Sequence, residues 1–156
     1  MAVSVLTSVL DEADVQYELL AHERTESAAA EAEVLGVPPH EVAKTLVVDT
    51  PSGYVRAVLP ASERLDTTKL ADVLGERHKA VSLATEEALA RDFSEFELGA
   101  VPPVGGSTAG RVVVDRCVAE RETVVLEAGS HDESIRLAAA DLVRVADAQV
   151  ADIHAE

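Results

Sequence analysis

Lys44 is the residue whose placement most needs a chemical reason. It follows Gly36-Val37-Pro38-Pro39-His40-Glu41-Val42-Ala43 and leads into Thr45-Leu46-Val47-Val48, a run with the composition of a buried strand. An ammonium resists desolvation. The only lysines are Lys44, Lys69 and Lys79, so this one is no part of a general cationic coat. Either the side chain snorkels to water at the strand end, or its charge is kept for an anionic ligand. Taken alone, the local residues favour snorkelling.

The segment Gly99-Ala100-Val101-Pro102-Pro103-Val104-Gly105-Gly106 offers a second kind of chemistry. Glycines let main-chain N–H groups approach a ligand closely, and such groups stabilise an oxyanion without a charged side chain. In isolation a Gly/Pro segment is only a loop. Gly129 reads as a turn glycine, and His131 in the polar turn beside it reads as a solvated side chain or as a group that orients water. Cys117 lacks a histidine in an evident supporting relation and reads as a core thiol. Ser62, Ser107 and Ser130 have no Gly-x-Ser-x-Gly elbow. The histidines at 22, 40, 78, 131 and 154 show no metal-ligand spacing. Neither a metal nor a cofactor is expected. Arg77-His78-Lys79 is the one compact basic run, a surface segment or, if RNA binds, a contact.

The elements that must position these residues can be placed from pattern. Val5, Leu6, Val9 and Leu10 have helical spacing within 4–12, with Val3 or Ser4 beginning the helix. Val15 to Leu20 is expected as a short strand. Ser27 suits the N-cap of a helix to Leu35 that Gly36 terminates. Lys44 to Asp49 and Tyr54 to Leu59 are expected as paired strands, joined by the turn residues Thr50-Pro51-Ser52-Gly53. Pro60 breaks the second strand. Asp66 or Thr67 caps a helix to Leu74, ended by Gly75. Ala80 to Leu83 is a short strand, and Glu86 and Glu87 suit the first turn of a helix to about Arg91. Leu98 to Gly110 is loop. Strands follow at Arg111 to Asp115, Thr123 to Ala128 and Ser134 to Leu137, with a turn at 129–132, then a helix from Asp141 to Ala146 and a tail from Ala148. Strands and helices interleave without a βαβ period, which favours an α+β fold with a mixed sheet.

Composition bounds the rest. The chain has 156 residues, the size of one ordinary domain. With 47% hydrophobic but only 3% aromatic residues, its core must be built from Val, Leu and Ala. No apolar run approaches the ~20 residues of a membrane span, and no basic-then-apolar leader is seen. A cytoplasmic setting is expected. The net charge of −16 is the wrong sign for a protein that grips nucleic acid along its backbone.

Taken together, the order and spacing of three segments resembles the YbaK/ProX family. They are Gly36-Val37-Pro38-Pro39-x-x-Val42-x-Lys44-Thr45-Leu46, the Gly-rich stretch from Gly99 to Gly106, and Ala128-Gly129 followed by Ile135-Arg136-Leu137. The resemblance runs from about His22 to Ile153. Members are trans-acting deacylases of mischarged tRNA, related to the editing domain inserted in some prolyl-tRNA synthetases. The resemblance implies a curved, barrel-like mixed β-sheet surrounded by helices, a single domain over 1–156, and ester hydrolysis without a protein nucleophile. It implies as partners the acceptor end of an aminoacyl-tRNA and prolyl-tRNA synthetase or another synthetase, with no DNA and no membrane. Lys44 and Gly99 become the expected catalytic residues. His22, Thr45, Ala100, Pro102, Gly129 and His131 become expected substrate contacts, and Asp115 a structural or electrostatic residue near the site. The chain departs from a common Gly-Gly-x-Ser-Pro form at Ala100 and Pro102. It also has Leu20 where some members carry tyrosine. Both departures bear on which amino acid the pocket accepts. A non-catalytic module that binds the acceptor end or a synthetase is the alternative; the acidic surface favours dependence on a partner, while retention of Lys44-Thr45, Gly99 and Gly129 favours catalysis.

Overall fold

The computed structural model describes residues 2–108 and 110–156. Helix α1 (Ala2–Glu12) begins at Ala2 and buries Leu6 and Leu10, one helical turn apart, against the sheet. The chain reverses at Asp14, whose φ is +57°, so strand β1 (Tyr17–Ala21) starts later than the Val15 expected, and Val15 itself packs in the core. Helix α2 (Ala28–Leu35) is capped by Ser27 Oγ, which accepts the Ala30 N–H at 3.1 Å. It ends at Gly36 in the left-handed region that a side chain disfavours.

Strands β2 (Val42–Thr50) and β3 (Gly53–Pro60) form the expected hairpin, in register from Ala43 opposite Pro60 to Thr50 opposite Gly53. Thr50 Oγ1 closes it by donating to the Gly53 carbonyl at 2.7 Å. Helix α3 (Thr67–Leu74) is capped by the Asp66 carboxylate, and the short β4 (Ser82–Leu83) precedes α4 (Glu86–Asp92), capped by Thr85. After the Gly/Pro loop come β5 (Arg111–Asp115) and a one-turn helix α5 (Arg116–Ala119). The pattern did not suggest α5, because four residues are too few to show a period. The chain closes with β6 (Thr123–Ser130), β7 (Glu133–Ala138), α6 (Ala139–Val145) and β8 (Gln149–Ala151).

The eight strands form one mixed sheet in the order β1-β7-β6-β2-β3-β5-β8, with β4 paired to β2 off that path. The α+β class and mixed sheet are as expected. The sheet is open rather than a closed barrel, since β1 and β8 lie at opposite ends of the order. The largest apolar cluster joins α1 and α6 to β5, β6 and β7 through Leu6, Val114, Leu126, Ile135 and Leu142. No described helix is long and apolar enough to cross a membrane.

One feature of the pairing makes a site. β2 is paired to β3 along nearly its whole length, but its other edge is paired only near the ends. Val42 and Ala43 run parallel to Val125 and Leu126 of β6, and Val48 and Asp49 run antiparallel to Leu83 and Ser82 of β4. Between them, at Lys44, Thr45 and Leu46, the ladder is open. Ala61 N–H donates to the Val42 carbonyl at 2.7 Å, and hydrogen-bonded pairs alternate along an antiparallel ladder. Lys44 and Leu46 therefore direct their main-chain groups to β3, and the N–H and C=O of Thr45 face the open edge.

Candidate active site

A cleft of about 170 Å³ occupies that opening. Lys44, Thr45 and Leu46 of β2 form one wall, Gly99 and Val101 another, and Glu127 of β6 a third. The cleft therefore brings together Lys44, Thr45 and Gly99, which lie in two distant segments of the sequence. A larger hollow of about 310 Å³ beside the β2–β3 turn is lined by residues such as Tyr54, Glu76 and Arg111, and includes none of the expected site residues.

Lys44 is half-buried. Burial, and then the neighbouring Arg64 charge, hold its ammonium below the usual lysine range, partly offset by Glu63. Two cations near one another with incomplete compensation favour an anion between them.

The Gly99 segment is held from beneath. Glu97 accepts the His131 N–H at 2.6 Å on one carboxylate oxygen and Arg24 Nη1 at 2.9 Å on the other. Its own N–H donates to the Gly129 carbonyl at 2.8 Å. His131 Nε2 donates to the Leu98 carbonyl at 2.6 Å. Gly99 has φ +84°, and a Cβ there would lie 3.5 Å from His131 Cε1. Gly129 (φ +98°) and His131 therefore support the segment from the irregular end of β6, where its register against β7 shifts between Glu127 and Ser130. His131, expected as a substrate contact and read from its turn alone as solvated, is only 4% exposed and does not line the cleft, because its ring is enclosed between the loop and β6.

Ala100 and Pro102, expected as substrate contacts, are buried and do not line the cleft. The Pro102 carbonyl accepts Arg56 Nη1 at 2.9 Å, which turns this part of the loop inward, and Val101 faces the cleft instead. His22 also lies outside the cleft lining. Its Nδ1 donates to the Glu23 carbonyl at 2.6 Å and its Nε2 meets Ser134 Oγ at 2.8 Å. The Ser134 hydroxyl in turn bonds the fully buried Glu31, whose carboxyl burial pushes up to about 8.

Asp115 is fully buried and does not line the cleft. Its carboxylate accepts the Cys117 N–H at 3.0 Å, the Ile153 N–H at 2.8 Å and His154 Nδ1 at 3.0 Å, fastening α5 and the C-terminal segment to β5. Cys117, expected in the core, is exposed on α5. Asp115, Cys117 and His154 have potential ligand atoms within 4.8 Å of one another, a grouping that spacing along the chain does not reveal. The Asp115 oxygens are already engaged by these donors, and the grouping serves as a structural fastening.

Glu127 is the titratable group of the cleft lining that the sequence pattern alone does not single out. Burial, then the charges of Glu97 and Glu26, push its carboxyl up to about 8. The signal was available: a carboxylate at the end of Thr123-Val124-Val125-Leu126 is as unexpected as a lysine at the start of Thr45-Leu46-Val47-Val48.

The chain resembles known proteins along most of its length. It is 24% identical over 154 residues to the multifunctional Ser/Thr-tRNA deacylase ProXp-y of Escherichia coli strain K12, covering 96% of this chain and 90% of that one. It is 32% identical over 74 residues to the proline–tRNA ligase of Fervidobacterium nodosum, covering 47% of this chain and 12% of the ligase. Its fold matches a solved candidate trans-editing enzyme for prolyl tRNA synthetase with a TM-score of 0.85 at 22% identity, over 99% of this chain and 98% of the other. The aminoacyl-tRNA editing domain model matches residues 22–145. The chain belongs to the aminoacyl-tRNA editing domain family, in agreement with the YbaK/ProX resemblance of its motifs.

Proposed function

We propose that the protein hydrolyses, in trans, the ester of a mischarged aminoacyl-tRNA, with tRNA(Pro) carrying Cys, Ala or Ser as the first substrates to consider, and so maintains translational fidelity in the cytoplasm. The observation that supports this best is the convergence of Lys44, Thr45 and Gly99 on one small cleft. The end of an aminoacyl-tRNA carries an anionic phosphate, an ester carbonyl and an α-amino group within a short span. Lys44, with Arg64 nearby, suits the phosphate. The Thr45 N–H and the main chain at Gly99 suit the oxyanion that develops on the carbonyl. An ester is already activated, so positioning supplies much of the remaining help. A cleft of about 170 Å³ favours small side chains by volume. Volume alone separates similar small ones poorly. The name of the Ser/Thr-tRNA deacylase relative adds threonine to the substrates worth testing.

A second reading is that the chain binds an acceptor end or a synthetase without turnover, and the net charge of −16 favours dependence on a partner to hold the tRNA. Deacylation of Ala-, Cys-, Ser- and Thr-tRNA, on tRNA(Pro) and on their own tRNAs, separates the two. Turnover by the wild type that Lys44→Ala loses while keeping its fold supports the enzyme. Equal turnover in both removes Lys44 from the mechanism. Binding without turnover on every substrate favours the escort.

A further inference from the structure

We propose that the open edge of β2 holds the aminoacyl group as a single residue of antiparallel strand, bonded twice to the main chain of Thr45; this rests on the reading of the cleft as a deacylase site. The slot is one residue long. At one end of it Ala43 is paired with Leu126 of β6, and at the other the Val47 carbonyl accepts the Ala84 N–H at 2.9 Å. Lys44 and Leu46 direct their main-chain groups to Leu59 and Ala57 of β3. Thr45 alone is left with an N–H and a C=O that face the cleft. A partner's strand would find no second bonding position there, so the slot is too short for strand addition.

An aminoacyl ester fits it. Its α-ammonium donates, its carbonyl oxygen accepts, and both groups hang on one Cα, as in a strand residue. In an antiparallel ladder a residue exchanges both bonds with the residue opposite. In a parallel ladder its two bonds go to two different residues. A single aminoacyl unit therefore uses both Thr45 groups only in the antiparallel sense, and that fixes its direction. The ester carbonyl lies against the Thr45 N–H, on the side of Lys44. The ammonium lies against the Thr45 C=O, on the side of Leu46. The ribose and the terminal phosphate then leave toward Lys44, the cation already matched to the phosphate on grounds of charge. The Thr45 N–H meets the carbonyl oxygen in the bound ester and stays with it as that oxygen gains charge.

The same pairing places the side chain. Residues directly opposite one another in a ladder carry their side chains on one face. An L-aminoacyl side chain thus emerges beside the Thr45 side chain, on the face where Val47 packs with Val101. Val101 also lines the cleft. In a D-aminoacyl group bonded the same way, the side chain takes the place of the α-hydrogen and is directed off that face. Thr45 and Val101 are therefore the side chains that meet the amino acid.

One test changes the substrate and keeps the wild-type protein. An L-aminoacyl-tRNA that the protein hydrolyses is compared with the same ester carrying hydrogen in place of the α-ammonium, propionyl-tRNA for alanyl-tRNA, and with its D-aminoacyl form. Each single-turnover rate is divided by the protein-free rate of the same ester, which removes the ammonium's own activation of the carbonyl. The acceleration is expected to fall about 10–100-fold without the ammonium and at least about tenfold for the D form. Equal acceleration of either analogue overturns the pairing. Absence of turnover on every aminoacyl-tRNA overturns the functional reading instead.

A second test removes the donor. Thr45→Pro deletes an N–H on the edge of β2 that makes no ladder bond, a position where proline is tolerated. Thr45→Ala loses the same side chain and keeps the N–H. The proline variant is expected to be at least about tenfold slower than the alanine variant, with its fold retained by circular dichroism. Equal rates in the two overturn the role of the Thr45 main chain. If the proline variant does not fold, the substrate comparison decides.

Discussion

Arg56 Nη1 donates to the Pro102 carbonyl at 2.9 Å, joining the middle of β3 to the Gly/Pro loop beneath the cleft. Its Nη2 reaches the Gly105 carbonyl at 2.7 Å, and the guanidinium lies 5.2 Å from the Phe93 ring centroid. Burial lowers this guanidinium to about 10, which leaves it charged at neutral pH. The expected cost of Arg56→Ala is about 3 kcal/mol or more, because several buried carbonyls lose a charged donor at once. Urea unfolding measures it, and deacylation should fall as well because Gly99 loses its fixed position. Unchanged stability would show that the loop holds itself.

Lys44→Met should separate stability from function. The variant removes a half-buried ammonium near Arg64, so its melting temperature should equal or exceed that of the wild type. Loss of a charged contact to substrate worth about 1.5–3 kcal/mol corresponds to roughly a 10–150-fold fall in kcat/KM. Thermal melts and deacylation rates on the same samples check both signs, and a destabilised variant would return Lys44 to a structural role.

Gly99→Ala places a side chain at φ +84°, a conformation that costs about 1 kcal/mol or more for alanine. The nearest His131 atom would be at ordinary contact distance, so the strain should be relieved by movement of the loop rather than by unfolding. Turnover is expected to drop by at least tenfold with a melting temperature within a few degrees of wild type. Full activity would remove the main chain at this position from the oxyanion site.

The Asp115–His154 fastening makes stability depend on pH in two windows. For Asp115, burial raises the carboxyl, but the Ile153 N–H, His154 and the Cys117 N–H outweigh it and hold the group below its usual range. That contribution is present above the unfolded value near 3.9 and is lost as pH falls through the folded one. His154 is raised chiefly by its bond to Asp115, so its contribution is full below about 6.5 and is lost as pH rises through the folded value. The melting-temperature gap between wild type and His154→Asn should therefore be larger at pH 5.5 than at pH 9. A gap independent of pH would mean that the pair is not charged.

Glu31 carries the opposite sign for a carboxyl. Burial pushes it up to about 8, so the unfolded chain releases its proton first and the wild type loses stability between about pH 4.3 and 8. Glu31→Gln, which can still donate to Ser134, should melt like the wild type at pH 4.5 and above it at pH 8. The same temperature for both proteins at pH 8 would place a compensating cation beside Glu31.

Much of this protein could be read from residue order, because its signals are local. Ser27, Asp66 and Thr85 cap the helices they precede, Gly36 and Gly75 end two of them, and Thr50-Pro51-Ser52-Gly53 turns the hairpin. Each depends on a few neighbouring backbone groups and needs no distant partner. Lys44 stood out by the same local logic, as a charge at the mouth of an apolar run.

Which side chains meet was decided only by the tertiary structure. β6 pairs with β2 for two residues and then diverges, and that divergence opens the cleft and sets Glu127 across from Lys44. Arg56 turns Ala100 and Pro102 inward, and Glu97 and Leu98 draw His131 under the loop. These contacts join residues tens of positions apart, and their geometry depends on strand register and twist, which no short window of sequence encodes.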